Sequence, residues 1–238
     1  MNQTTQNAQE IENFNALAAE WWDENGPMKP LHRLNPKRIE YITGIIKTHL
    51  GQNIDKTKIL DVGCGGGIVC EPLARLGADV TGIDAAPDSI KVAKAHAGAR
   101  DMKINYKNTD VENQAKLKTK YDVVMALEIV EHVDNLPLFL KSCQQCLKPD
   151  GILIVSTLNR NPKSFLLGIV AAEYILKWVP KGTHNWRKFV KPSELAKMIE
   201  PTGLTPKDVT GLVYNPLNKE FSLSKKDLDV NYFMTFAS

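Results

Sequence analysis

Two stretches of this chain carry residue types spaced for chemistry. The first is Asp61-Val62-Gly63-Cys64-Gly65-Gly66-Gly67, four glycines within five positions behind a carboxylate. Glycines let a backbone approach a ligand closely and adopt conformations that other residues resist. A dinucleotide fingerprint leaves its helix N-terminus free for a pyrophosphate, and Asp61 would sit awkwardly beside one; it suits an ammonium or sulfonium group better. The second stretch is Glu128-Ile129-Val130-Glu131-His132. Imidazole titrates near neutrality, so His132 can take or give a proton. Glu128, Glu131 and His132 are spaced i, i+3, i+4, and on a helix turn they would share one face able to hold a divalent metal. Asp84, at the end of an apolar run, is placed to accept hydrogen bonds from both hydroxyls of a ribose. Helix capping, the plainer use of such a residue, can fall to Asp88.

Positioning these groups requires strands that end beside loops. The apolar runs Ile59 to Val62, Val80 to Ile83, Tyr121 to Leu127 and Gly151 to Thr157 are rich in β-branched residues and bounded by Gly, Asp or Pro, as buried strands are. Helical patterns at Pro87 to Ala97 and Leu136 to Leu147 lie between them. The alternation implies an α/β fold with a doubly wound, mostly parallel sheet. Leu204 to Tyr214 and Val230 to Phe236 follow with no helix between, which predicts an antiparallel hairpin at the C-terminal edge. Residues 1–57 read as a helical preamble or lid, and 58–238 as the main domain with a helical insertion at about 160–191.

Composition narrows the class. Hydrophobic residues at 43% and charged residues at 24% suit a globular core, and a net charge of +3 gives no argument for nucleic acid. Cys64, Cys70, Cys143 and Cys146 are too scattered for a disulfide framework, and Cys143 and Cys146 read as small residues on a helix. Residues 1–13 show neither an apolar signal core nor an Arg-rich transit pattern, so a bacterial, cytoplasmic protein is expected. No uncharged apolar run reaches the length of a membrane span.

The loop at Asp61, then Gly82-Ile83-Asp84, Tyr121-Asp122-Val123-Val124 and Leu147-Lys148-Pro149-Asp150-Gly151 resemble, in order and spacing, the class I methyltransferase core. The resemblance implies S-adenosylmethionine as cofactor. Its methionine part would lie on Asp61, Gly63 and Gly65, its ribose on Asp84, and its adenine against Leu127, with Asp110 near the adenine amine. The flanking segments Trp21-Trp22-Asp23, Pro30-Leu31-His32-Arg33-Leu34-Asn35-Pro36, Glu128 to Val133, Ser156 to Arg160 and Gly211 to Pro216 are similar to those of the ubiquinone-biosynthesis O-methyltransferases from about Phe14 onward.

That similarity implies methylation of catechol-type hydroxyls on a polyprenylated ring, at both O-methylation steps of the pathway. It places Arg38 on the cofactor and Trp21 and Trp22 in a lid or in core packing. A phenol titrates near ~10, so its proton needs an acceptor, and His132, assisted by Glu131, is the expected base. Mg²⁺ on Glu128, Glu131 and His132 is the alternative source of acidity. His32 and His184 are second-rank candidates, whereas His49 and His96 read as solvated.

The acceptor's tail stays in the bilayer. The run Phe165 to Val179, flanked by Arg160, Lys163, Lys177, Lys181, Arg187 and Lys188, is expected to meet the inner membrane surface through 160–188. Association with other enzymes of the pathway is a further possibility. Rival readings are a methyltransferase for another small aromatic acceptor, an NAD-dependent oxidoreductase and a non-catalytic scaffold.

Overall fold

The computed structural model describes residues 4–165 and 186–238. Eight strands form one sheet in the order β3-β2-β1-β4-β5-β8-β6-β7. They are β1 (Lys58–Val62), β2 (Asp79–Asp84), β3 (Asn105–Asn108), β4 (Tyr121–Leu127), β5 (Leu147–Leu158), β6 (Thr205–Asn215), β7 (Glu220–Ser224) and β8 (Asn231–Ala237). The first five are mutually parallel, and β8, β6 and β7 continue the sheet antiparallel. The C-terminal pair is therefore antiparallel as expected, but it is not an edge hairpin. β8 lies between β5 and β6, and the edge belongs to β7, a short half-exposed strand between them in sequence.

Successive residues of a strand face opposite sides, and both sides here are covered. On one face Ile59, Val80, Val123 and Met125 pack against Ile42 and Ile45 of α2 (Lys29–Ile45), Leu73 of α3 (Cys70–Arg75) and Ile90 of α4 (Pro87–Gly98). On the other, Leu60, Val124, Leu153 and Val155 meet Val111 of α5 (Val111–Ala115), Phe139 and Leu140 of α6 (Leu136–Gln145) and Leu195 of α8 (Pro192–Ile199). Each such side chain, fully buried, contributes roughly 1.5–3 kcal/mol.

The preamble divides into two parts. α2 is built into the core, whereas α1 (Ala8–Ala16) buries no residue completely and lies outside it. Within the segment 160–191, the described elements are α7 (Pro162–Ser164) and the turn Trp186–Lys188. Most of the apolar run expected at the membrane, and His184, lie outside the described residues. Among the described residues no helix is long and apolar enough to cross a membrane.

Candidate active site

The carboxyl ends of β1 and β4 meet where the strand order reverses, the place at which open α/β sheets bind ligands. A cavity of about 740 Å³ opens there, with Arg38, Asp61, Gly63, Asp84, Asp110, Leu127, Glu131 and His132 among its lining residues.

The glycine loop leaves β1 with two backbone bonds, Gly63 and Cys64 N–H to the Ile83 carbonyl at 2.8 and 3.0 Å. At Gly63 φ is +75°, and a Cβ there would lie 2.9 Å from Ile129. Gly65 has φ +51°, and its missing Cβ leaves room for the Trp21 ring, which would otherwise collide with it. Trp21 is buried and donates from Nε1 to Ser89 Oγ at 3.1 Å; Trp22 donates to the Gly66 carbonyl at 3.0 Å. Both indoles thus pack onto the loop itself. His32 Nε2 lies 2.8 Å from the Trp21 carbonyl, which can only accept, so His32 is a tether for Trp21.

Asp61 is buried, and its carboxylate accepts from the Cys70 thiol at 3.2 Å. Burial pushes its pKa up to about 6, although Cys70 and the Arg38 charge pull the other way. Asp84 Oδ2 accepts from Gly65 N–H at 2.9 Å and Oδ1 from Ala86 N–H at 2.7 Å, so the carboxylate fixes the loop while each oxygen keeps a lone pair. Desolvation raises its pKa too. The cap of α4 comes from neither Asp84 nor Asp88: Asn15 Oδ1 accepts the Asp88 N–H at 3.1 Å. Asp110 caps α5 through Asn113 N–H at 2.7 Å and accepts from Gln6 Nε2 at 2.7 Å. Leu127 is an apolar wall.

The expected helix turn for Glu128, Glu131 and His132 does not form. Glu128 has φ +47°, in the left-handed region, and Val130–His132 is a single 3₁₀ turn. The three side chains part company. Glu128 pairs with the buried Arg38 and accepts from Asn231 Nδ2 at 3.3 Å. Glu131, buried, accepts from Thr157 Oγ1 at 2.9 Å. His132 Nδ1 lies 3.1 Å from Glu10 Oε2. This trio does not fit a magnesium site, and no group of three His, Cys, Asp or Glu among the described residues is arranged to hold a metal.

Burial would lower the His132 pKa, but the bond to Glu10 and the charges of Glu131 and Glu10 outweigh it, against Lys188, and the net shift is upward. Desolvation raises that of Glu131, with the His132 charge opposing. His96 is not solvated: it lies 2.5 Å from Glu71 and stacks on Trp22 at 3.4 Å between ring centroids. His49 is exposed, as expected.

Sequence reasoning gave no role to Glu10, Phe14 or Asn231. The spacing Asn7-x-x-Glu10, a helix-start signature, was the one available sign that the polar N-terminus is ordered.

A doubly wound sheet with an acid-led glycine loop and a second acid at the end of β2 defines a class I methyltransferase. The comparisons agree. A family model described as a methyltransferase domain matches residues 32–208. The ubiquinone biosynthesis O-methyltransferase of Dinoroseobacter shibae is 48% identical, over 97% of this chain and 96% of that protein. That of Methylobacterium nodulans is 46% identical over 94% and 92%. The chain belongs to the ubiquinone biosynthesis O-methyltransferase family. Among solved structures it is similar in fold to the plantazolicin methyltransferase BpumL, with TM-score 0.67, 19% identity and coverage of 97% and 96%. It is also similar to magnesium protoporphyrin IX methyltransferase from Synechocystis, solved with bound SAM, with TM-score 0.65, 16% identity and coverage of 100% and 97%.

Proposed function

We propose that this chain transfers the methyl group of S-adenosylmethionine to a catechol-type hydroxyl of a polyprenylated ring, at both O-methylation steps of ubiquinone biosynthesis. The observation that carries the reading is the meeting of Asp61, Asp84 and His132 around one cavity.

The residues present fit the cofactor. Asp61 is a buried carboxylate suited to a cation, Asp84 keeps acceptor capacity for two ribose hydroxyls, and Leu127 offers an apolar face for adenine. Arg38 Nε and Asn231 Oδ1 are buried without hydrogen-bond partners, on residues that line this cavity, and both are available to the methionine part. When bound, the cofactor would supply a methyl carbon made electrophilic by its sulfonium, which would leave as the neutral thioether once the phenolic oxygen has taken the methyl group. His132 takes the phenolic proton and later releases it to water. A phenol's pKa near ~10 makes this removal necessary at neutral pH, and a positioned base contributes ~10²–10⁴-fold. Glu131, buried beside His132, stabilises the imidazolium that results.

The acceptor's tail requires a visit to the cytoplasmic face of the membrane. The apolar run after Lys163 with its basic flanks supports that contact from sequence alone. Deleting 166–179 is expected to abolish binding to anionic vesicles.

The direct test is methyl transfer to a short-tail catechol by wild type and His132→Ala, before and after chelation. Wild-type turnover that survives chelation and is lost in the variant supports the base. Turnover abolished by chelation and restored by Mg²⁺ overturns it. An inert wild type with saturating cofactor sinks the acceptor assignment.

A further inference from the structure

We propose that Glu10, on the N-terminal helix α1, is the positioning residue of His132, selecting the ring tautomer in which Nε2 is free to accept the substrate proton. The proposal rests on the reading of His132 as the base.

The geometry is specific. Asn7 caps α1, its Oδ1 accepting from Glu10 N–H at 3.1 Å. In a complete capping box the glutamate would fold back to the cap's own N–H. Here Glu10 Oε2 instead reaches across 122 residues of sequence to His132 Nδ1, at 3.1 Å. An ionised carboxylate can only accept, so Nδ1 must carry the hydrogen and Nε2 the lone pair. The ring is held from a second side by Phe14, one turn further along α1, in an edge-to-face contact with centroids 5.3 Å apart.

The helix is itself anchored on both sides of the histidine. Thr5 N–H and Oγ1 donate to the Glu112 carboxylate at 2.7 and 2.9 Å, and the Thr5 carbonyl accepts from Asp134 N–H at 3.0 Å. Asn7 Nδ2 donates to Asp134 Oδ1 at 2.7 Å, two residues past His132. Side-chain bonds that tie a helix start to the loop carrying His132 leave Glu10 little freedom to point elsewhere.

Among the described residues, the charged groups facing the imidazole include Glu10 from α1, Glu131 from its own turn and Lys188 from the turn Trp186–Lys188, whose Nζ lies 3.8 Å from Glu10 Oε1. Two carboxylates against one ammonium favour the protonated ring, which matches the upward shift. Removing Glu10 takes away a hydrogen bond and a charge that both raise the His132 pKa, so the ring should titrate lower.

The test follows His132 by NMR of ring-labelled protein and measures kcat/KM against pH for the short-tail catechol, in wild type, Glu10→Gln, Glu10→Asp and His132→Ala. In Glu10→Gln the His132 titration and the acid limb of kcat/KM are expected to move together to lower pH. The high-pH plateau should fall by part of the ~10²–10⁴-fold that a general base supplies. Glu10→Asp, which keeps the charge, should stay nearer wild type than Glu10→Gln. An unchanged limb and titration in Glu10→Gln overturn the proposal while leaving His132 as base. A fall in the plateau with no shift in pH dependence also overturns it, marking Glu10 as a structural anchor only. Full turnover by His132→Ala overturns the base and the proposal with it.

Discussion

Asp61 and His132 both have raised pKa values, and the signs differ in consequence. As the proposed partner of the cofactor's cation, Asp61 would act in its charged form. Below about 6 it takes a proton and loses its attraction for the cofactor's cation. Affinity for S-adenosylmethionine is therefore expected to weaken as pH falls through about 6, and calorimetric titration at a series of pH values measures it. Asp61→Asn should flatten that dependence and weaken binding by roughly 10- to 100-fold, the worth of a hydrogen bond to a charged group. Binding that keeps its pH dependence in this variant would move the effect to Asp84, the other buried acid of the site. As the proposed base, His132 would act in its neutral form, so turnover should rise as pH climbs through its raised pKa, placing the acid limb above the ordinary imidazole value. A limb at or below that value in a pH–rate profile contradicts the Glu10 bond.

Elements explain why some of this was legible and some was not. β1, β2 and β4 are buried on both faces, so their β-branched runs announce themselves. β3 is Asn105-Tyr106-Lys107-Asn108 and β7 is Glu220-Phe221-Ser222-Leu223-Ser224, edge strands whose polar, half-exposed residues carry no such signal. The loop after β4 misled for another reason: i, i+3, i+4 spacing has meaning only on a helix, and Glu128 leaves β4 with φ +47°. The glycine loop was legible as a strand-to-helix turn and a candidate ligand site, but the fit of Trp21 over Gly65 was not, because it joins segments over forty residues apart. That fit is testable. Gly65→Ala combines left-handed strain, of order 1–3 kcal/mol, with a collision against the indole. Trp21→Ala alone should cost about 3–5 kcal/mol as a large buried side chain is lost. In the double variant the collision is gone and the strain remains, so denaturant unfolding should show a combined loss smaller than the sum, by ~0.5–3 kcal/mol. Strict additivity would mean that the ring has another place to go.

At the scale of the molecule, the site is shared between parts with different claims on stability. The sheet, α2 and the helices on both faces hold the core, and the side of the cavity with Asp61 and Asp84 belongs to them. α1 buries none of its own residues completely, yet it brings Glu10 and Phe14 to His132, Gln6 precedes it onto Asp110, and Asn15 caps α4. A protein beginning at Leu17 should therefore keep a single cooperative unfolding transition, with a midpoint lowered by several degrees for the ~1–2 kcal/mol of lost partial contacts. It should still bind S-adenosylhomocysteine, more weakly because α4 and Asp110 lose partners. Methyl transfer should fall far more than binding, since the proposed base, His132, loses both the carboxylate and the ring that hold it. Thermal denaturation, calorimetry and turnover on one preparation separate the three effects. Loss of the folding transition would place α1 in the core after all. Wild-type turnover in the shortened protein would mean that His132 finds its tautomer without α1, and that this helix serves only as a cover for the cavity.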